Sequence, residues 1–183
     1  LFSTDDTKKN EDFSEKTIAE LVRACFEMGK VKTGALIVIE RGTPLGEIER
    51  TGIEVDGIVT SQLLINIFEH NTPLHDGAVV IRGNRVTAAT CYLPLSDNMD
   101  ISKALGTRHR AAVGVSEATD SVTLVVSEET GRVSVAVSGR LKSVKDGDEL
   151  RDMLSVLVKR ETENTGRFRI WKGRRRNERK ADE

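Results

Sequence analysis

The sequence predicts a single mixed α/β domain in which a central β-sheet is flanked by helices. Two kinds of pattern lead to this prediction. Continuous apolar runs of five or six residues are typical of strands buried on both faces, and apolar stripes at helical spacing separate them. Because no internal repeat or low-complexity linker divides the chain, one folded unit over residues 13–166 is the economical interpretation.

The first predicted helix is amphipathic. Ser14 is predicted as its N-cap and Gly29 as its end. Its core-facing stripe follows the i, i+3, i+4, i+7 spacing and consists of Ile18, Leu21, Val22, Cys25 and Phe26. The apolar run 34–39 then predicts a strand that is buried on both faces and ends at the turn residues 41–44.

The middle of the chain predicts a strand, a helix and a hairpin. Residues 53–59 are strand-like, and Ser61 is predicted to cap the helix that follows. The runs 78–82 and 85–92 flank a glycine–asparagine pair, which is typical of tight hairpin turns. Asp76 therefore lies at the mouth of a hairpin strand, just outside the sheet.

The second half of the chain predicts a short helix, a second hairpin and a final helix. The short helix is expected to start near Thr107, and the strands of the hairpin are 122–126 and 133–137. Asp148 is predicted to cap the final helix. The apolar stripe of that helix consists of Leu150, Met153, Leu154, Leu157 and Val158.

Composition excludes several classes of partner. The chain has 183 residues, 38% hydrophobic and 31% charged, with a net charge of −1. This balance leaves no overall basic footprint for nucleic acid, and no stretch has the apolar length of a membrane span. Cys25 and Cys91 both lie among apolar residues, which indicates buried thiols of a reduced, intracellular protein.

Both ends of the chain differ from its middle. Residues 1–12 are polar and are predicted to be a flexible lead-in. Residues 167–183 contain eight basic and three acidic residues, and are interpreted as a flexible basic tail that is solvated or contacts anionic lipid. Because the chain begins at Leu1 rather than methionine, we expect it to be a fragment, and a missing N-terminal anchor is compatible with this start.

The first motif that indicates chemistry is His75-Asp76-Gly77-Ala78. The bare backbone of Gly77 lets a ribose or phosphate come close. Asp76 is interpreted either as a turn residue that accepts backbone N–H groups, or as a carboxylate that holds a metal or takes a proton. His75 is interpreted equally as a surface histidine and as a ligand of a divalent ion such as Mn²⁺ or Mg²⁺.

The second motif is Gly106-Thr107-Arg108-His109-Arg110. Gly106 and Thr107 are predicted to open a helix whose N–H groups face an anion. Arg108 and Arg110 would bind phosphate oxygens in forked geometry. Because they do not share a helix face, one is expected to face the phosphates and the other to anchor the loop or reach across an interface. A solvated basic helix edge is the alternative interpretation.

Two further segments are weaker candidates. The segment Ser127-Glu128-Glu129-Thr130-Gly131 is interpreted as a solvated hairpin turn or as the source of a second metal ligand, Glu128, which closes a buried strand. Tyr92 and Leu93 end the strand after the first hairpin. They are interpreted either as the walls of an adenine slot or as the last residues of the core.

In this order, the motifs resemble those of the diadenylate cyclase family, from about residue 13 to residue 166. His75-Asp76-Gly77-Ala78 matches the family's DGA motif, and Arg108-His109-Arg110 matches its RHR motif. The resemblance implies a mixed sheet flanked by helices, and a reaction that joins two ATP molecules into cyclic di-AMP with release of two pyrophosphates.

The resemblance also implies roles for individual residues. Catalytic roles are implied for Asp76, Gly77, Ala78, Arg108, His109 and Arg110. The ATP and phosphate contacts are expected at Gly77, Tyr92, Leu93, Gly106, Thr107, Arg108, Ser127 and Glu128. A divalent metal, Mn²⁺ or Mg²⁺ with Co²⁺ as a third candidate, is expected at His75, Asp76 and Glu128.

Partners follow from the same resemblance. One site holds one ATP, so the active state is implied to be a homodimer whose sites face each other. The chain resembles the cytoplasmic part of the membrane-anchored type of the family, for which a membrane regulator protein and phosphoglucosamine mutase are partners. No nucleic-acid partner is expected. The alternatives are a nucleotide or cyclic-dinucleotide binding module without turnover, and a structural α/β domain whose polar motifs are caps and turns.

Overall fold

A computed structural model describes residues 13–98, 100–101 and 105–157 of the chain. The described strands are β1 (Ala35–Ile39), β2 (Ile53–Ile58), β3 (Ala78–Arg82), β4 (Arg85–Cys91), β5 (Val122–Val126), β6 (Val133–Val137) and β7 (Arg140–Ser143). The described helices are α1 (Glu15–Lys30), α2 (Gly46–Glu49), α3 (Ser61–Phe68), α4 (Thr107–Ala118) and α5 (147–157). The lead-in 1–12 and the tail 167–183 that the sequence predicts lie outside the described residues, as does Val158.

The strands form one sheet in the order β2-β4-β3-β1-β5-β6-β7. Strands β1 and β3 are parallel, and the other neighbouring pairs are antiparallel. The predicted mixed sheet with flanking helices is therefore confirmed. No helix in the described part of the chain has both the length and the apolar character needed to cross a membrane.

The sheet separates two apolar layers. Along β1, Ala35, Ile37 and Ile39 face the layer that contains α1, α3 and α5, whereas Leu36 and Val38 face the layer that contains α4. Burying one such aliphatic side chain contributes roughly 1.5–3 kcal/mol. Because both faces are covered, both sets of alternating positions must be apolar, which explains the continuous run in the sequence.

The predicted helix starts are partly confirmed. Ser14 caps α1, and its hydroxyl accepts a hydrogen bond from the N–H of Thr17 at 3.2 Å. Ser61 is not the cap of α3. The cap is Thr60, whose backbone is extended and whose hydroxyl accepts from the N–H of Leu63 at 3.1 Å. Ser61 is instead the first residue of the helix, and its N–H donates to the carboxylate of Glu20.

Two other predicted helix boundaries move by one or two residues. Asp148 lies within α5, and Asp146 takes the capping position, since its carboxylate accepts from the N–H of Glu149 at 2.9 Å. Helix α1 continues through Lys30 rather than ending at Gly29. Helix α2 and strand β7 were not predicted, because one is a single turn and the other is a mostly exposed edge strand with little apolar periodicity.

The register of the sheet brings distant segments to one edge. Ala35 pairs with Val126, Val126 pairs with Val133, and Ala78 pairs with Cys91. The starts of β1, β3 and β6 and the ends of β4 and β5 therefore lie side by side. We call this edge of the sheet the motif rim.

Candidate active site

The motif rim carries residues from both sequence motifs. Asp76 and Gly77 precede β3, Gly34 precedes β1, Tyr92 follows β4 and Ser127 follows β5. Neighbouring strands are about 4.8 Å apart, so these segments form one row. The first turn of α4 lies against the same row. The fold thus joins two motifs that are about thirty residues apart in the sequence.

Arg108 is held in a defined position on this rim. Its side chain is 22% exposed, and its Nη1 donates a hydrogen bond to Oε2 of Glu128 at 2.9 Å. The guanidinium also lies directly over Gly34, where a Cβ atom would come within 2.8 Å of Nη1 and 2.9 Å of Cζ. The glycine before β1 is therefore required for the observed position of the arginine.

Arg110 lies two residues further on and has different surroundings. Its side chain makes no hydrogen bond or ion pair to another residue in the described ranges, whereas its carbonyl accepts from the N–H of Ser96 at 3.0 Å. The loop that contains Pro94 and Ser96 also packs on Gly114 of α4, since a Cβ at Gly114 would lie 2.1 Å from the carbonyl oxygen of Pro94. The backbone at Arg110 thus anchors the segment that follows Tyr92.

His109 is buried between these two arginines, with 7% of its surface exposed. Burial lowers the pKa of its imidazole, the positive charge of Arg108 lowers it further, and Glu129 partly opposes the shift. His109 is therefore a neutral imidazole at neutral pH and not a third fixed cation.

A cleft of about 280 Å³ opens beside the first turn of α4. Its lining includes six residues that the sequence analysis assigned to the site: Gly106, Thr107, Arg108, His109, Ser127 and Glu128. Arg132, Ser134 and Ser143 also line it and were not selected. The sequence offered a signal for two of these residues. Side chains alternate between the faces of a strand, so Ser134 in β6 and Arg132, two residues before it, are expected on the same face of the sheet as α4.

The Asp76 loop is more open than the cleft. Asp76 is exposed, and its Oδ1 accepts from the N–H of Gly77 at 3.0 Å. Gly77 has φ +90°, and a Cβ there would lie 2.8 Å from the carbonyl carbon of Thr90, so only glycine fits. Ala78 has no exposed surface and packs in the apolar layer on the α4 side of the sheet, so it anchors the end of the Asp76 loop to the core.

His75 is oriented by a backbone contact. Its Nδ1 is 2.7 Å from the carbonyl oxygen of Thr72, and its ring meets the ring of His70 edge to face, with centroids 6.0 Å apart. A carbonyl oxygen can only accept, so Nδ1 carries the proton and donates. The lone pair of Nε2 is then left for another partner, which is how metal-binding histidines are commonly oriented.

His75 and Asp76 carry the types of side chain that bind divalent ions, whereas Glu128 lies apart from them. Among the described residues, no group of three or more His, Cys, Asp or Glu side chains could hold a metal. Glu128 follows β5, two strand spacings or roughly 10 Å from the Asp76 loop, and its carboxylate binds Arg108. An imidazole and a carboxylate suit Mn²⁺ or Mg²⁺ when substrate phosphates supply further oxygens.

Tyr92 and Leu93 separate into two environments. Tyr92 is 78% exposed at the rim, one strand from the Asp76 loop, and its N–H donates to Oγ1 of Thr51 at 2.9 Å. Leu93 is partly buried and packs on the α4-side layer. Leu93 therefore contributes to the core, while the ring of Tyr92 is available to a ligand.

Comparison with known proteins points to one family. The family model described as DisA bacterial checkpoint controller nucleotide-binding (DAC) matches residues 22–141. The cyclic di-AMP synthase CdaA of Bacillus subtilis is 51% identical over 166 residues, 90% of this chain and 61% of that protein. A diadenylate cyclase of Listeria monocytogenes is 50% identical over 157 residues, 85% of this chain and 58% of that protein.

Solved structures share the fold. A double mutant of DacA from Staphylococcus aureus has a TM-score of 0.75 at 48% identity, with coverage of 77% of this chain and 94% of that chain. A hypothetical membrane spanning protein from Bacillus cereus has a TM-score of 0.69 at 42% identity, with coverage of 71% and 64%. This chain spans about three fifths of the length of the two curated relatives. The family match includes both motifs and most of the sheet, and the chain belongs to the diadenylate cyclase (DAC) family.

Proposed function

We propose that this chain is the catalytic domain of a diadenylate cyclase, which joins two ATP molecules into cyclic di-AMP and releases two pyrophosphates. The observation that carries the proposal is the meeting of both family motifs on one rim of the sheet, beside a cleft that contains Arg108. A phosphate-binding cleft next to an exposed carboxylate is the arrangement that nucleotidyl transfer needs.

The cleft is suited to the triphosphate. The first turn of α4 lines it, where the N–H groups of a helix favour an anion, and Arg108 supplies a forked cation. Oε2 of Glu128 accepts a hydrogen bond from Nη1 of Arg108 at 2.9 Å. A phosphate oxygen would take the place of this carboxylate oxygen, and the arginine would already be oriented to bind it. Arg132 adds a second cation to the lining of the cleft.

The other end of the rim is suited to the nucleoside. The exposed ring of Tyr92 offers a stacking surface for adenine, and Asp76 lies one strand away, where the ribose 3′-hydroxyl would lie. The 3′-oxygen of each ATP forms a bond to the α-phosphorus of the other, pyrophosphate leaves with the bonding electron pair, and the hydroxyl proton passes to Asp76 or through it to water.

A divalent ion held by His75 and Asp76 would neutralise phosphate charge and make the 3′-hydroxyl more acidic. Glu128 stays a candidate ligand only if it leaves Arg108 on substrate binding. We propose Mn²⁺ or Mg²⁺ as the ion, with Co²⁺ as a third candidate, because imidazole and carboxylate suit these ions.

One rim accommodates one ATP, so ring closure needs two domains whose rims face each other. This requirement is consistent with the exposure of Asp76. We therefore expect turnover per subunit to fall when the protein is diluted below the dissociation constant of the dimer, while ATP binding per subunit stays constant. Turnover per subunit that stays flat on such dilution would argue against the face-to-face dimer.

The decisive experiment is incubation with ATP and either Mn²⁺ or Mg²⁺, followed by chromatography and mass analysis of the products. Cyclic di-AMP that is absent with the Asp76→Asn variant would support the proposal. Tight ATP binding without any product from either metal, at concentrations where the protein is dimeric, would instead favour a nucleotide-binding module. A linear dinucleotide would show that the phosphate cleft is right and the face-to-face geometry is wrong.

We also propose that the full protein is anchored to the cell membrane, with this domain in the cytoplasm. The likeness to a membrane spanning protein of Bacillus cereus supports this proposal. A membrane regulator protein and phosphoglucosamine mutase stay predictions as partners. Fractionation of cells that express the full-length protein tests the anchor, which predicts recovery with the membranes.

A further inference from the structure

We propose that Thr51 is a positioning residue for Tyr92 and thereby sets the affinity of the site for the adenine end of ATP. The inference rests on the proposed function, in which Tyr92 stacks on the base. It adds a residue that lies outside both motifs, in the segment between α2 and β2.

One hydroxyl, that of Thr51, joins two parts of the fold. Oγ1 of Thr51 donates to the carbonyl oxygen of Ile48 at 2.6 Å and accepts from the backbone N–H of Tyr92 at 2.9 Å. Thr51 thus ties the end of α2 to the first residue after β4. A hydroxyl can donate one hydrogen bond while it accepts another, and both functions are used here.

The position of this hydroxyl is set by the sheet. Ile53 pairs with Ala89, so the residues just before β2 run alongside the end of β4. At Gly52 the two backbones touch, since a Cβ there would lie 2.2 Å from the carbonyl oxygen of Ala89 and 2.6 Å from Sγ of Cys91. The close backbone contact at Gly52, which only glycine permits, therefore places Thr51 next to Tyr92.

Among the described residues, Tyr92 has its one hydrogen bond to Thr51, and contact with the core begins at Leu93. Its side chain is 78% exposed, and the next backbone anchor of its loop is the bond from Ser96 to Arg110. Loss of the Thr51 hydroxyl would let the Tyr92 backbone move without disturbing the core. We therefore expect weaker ATP binding with little change in the chemical step, because the groups around the phosphates are untouched.

The test compares Thr51→Val, Thr51→Ser and Thr119→Val. Thr119 is a matched control, because its hydroxyl also donates to a carbonyl at the end of a helix, at 2.8 Å, and accepts from a backbone N–H, at 3.2 Å. It lies at the opposite end of α4 from the cleft. We expect Thr51→Val to raise KM for ATP about three- to tenfold, the factor that one hydrogen bond supplies, with kcat within about twofold.

A second readout does not depend on turnover. Tyr92 is the sole tyrosine of the chain, so fluorotyrosine labelling yields one ¹⁹F signal from this position. We expect Thr51→Val to shift or broaden that signal in the free protein, Thr51→Ser to restore it, and Thr119→Val to leave it unchanged.

The inference is overturned if Thr51→Val leaves both KM and the ¹⁹F signal as in the wild type, or if Thr51→Ser fails to restore them. It is also overturned if Tyr92→Ala leaves KM for ATP unchanged, since Tyr92 would then not contact the base. Failure of the proposed function is separate, because it would appear as a lack of cyclic di-AMP with the unmodified protein.

Discussion

The two motifs lie on the same rim of the sheet but in opposite surroundings. Arg108 rests on Gly34 and binds Glu128, and His109 beside it is buried. Asp76 is exposed, and among the described residues it binds only the N–H of Gly77. One motif is thus packed into the domain, while the other projects from it.

This difference indicates a division of labour within the proposed site. A cation that is already oriented can bind phosphate without first losing side-chain freedom, which costs up to about 2 kcal/mol for a free arginine. A carboxylate that projects from the rim gains its partners only when substrate, metal or a second domain approaches. The arginine side should therefore determine binding, and the aspartate side should determine turnover.

The largest expected effect comes from Asp76→Asn. Removal of the charge should lower cyclic di-AMP formation by about 10²–10⁴-fold, the usual contribution of a general base, because Asn cannot take the proton. Thermal stability should be unchanged, since Asp76 is exposed, and so should ATP binding measured without the divalent ion. Product analysis and calorimetric titration measure both quantities, with Asp97→Asn as a control at an exposed carboxylate after β4. An equal loss of ATP binding and turnover would contradict the proposal that the arginine side determines binding and the aspartate side determines turnover.

Arg108→Ala should act mainly on binding. Loss of a charge-assisted contact to phosphate is expected to weaken ATP binding by about 10- to 100-fold, and Arg108→Lys should recover only part of it, because an ammonium lacks the forked geometry. Calorimetric titration with ATP measures the effect, and Arg140→Ala, on the exposed start of β7, serves as the control. Unchanged affinity in Arg108→Ala would show that the cleft is not the phosphate site.

Gly34→Ala tests whether the position of Arg108 matters as well as its charge. The added Cβ would lie 2.8 Å from Nη1 of Arg108, so the guanidinium must move, while the flexible arginine tip allows the fold to persist. We expect kcat/KM to fall about tenfold, as for a misplaced binding group. Gly46→Ala is the matched control, because its Cβ would meet nothing within 4 Å. Equal kinetics in both variants would contradict the role of Gly34.

The smallest expected effect is a pH dependence of stability from His109. The pKa of this imidazole is lowered by burial and by Arg108, whereas in the unfolded chain it returns to about 6.5. The unfolded state therefore binds more protons below that pH, and the free energy of unfolding falls as pH decreases from about 6.5 toward the lowered pKa. Between pH 7.5 and 5.5, Tm should fall more for the wild type than for His109→Gln. Parallel curves would show that His109 is not buried in the neutral form.

Local features of the site could be predicted from the sequence. The start of α4 at Thr107, the hairpin beside Asp76 and the turn after β5 lie where turn and helix signals place them. The incorrect details are also local: the caps at Thr60 and Asp146 rather than at Ser61 and Asp148. Polar residues one or two positions apart compete for the cap, and the backbone angles that decide between them depend on packing of the whole helix.

The sequence by itself determined the elements and the chemical groups of the two motifs, because apolar periodicity reports which faces are buried and each side chain brings its own chemistry. The tertiary structure decided which groups meet. The pairing of Arg108 with Glu128, the guanidinium over Gly34 and the bond from Tyr92 to Thr51 each join residues that are at least twenty positions apart. Such contacts follow from the strand order and register of the sheet, which arise from packing of the whole chain and leave no periodic signal in any one segment.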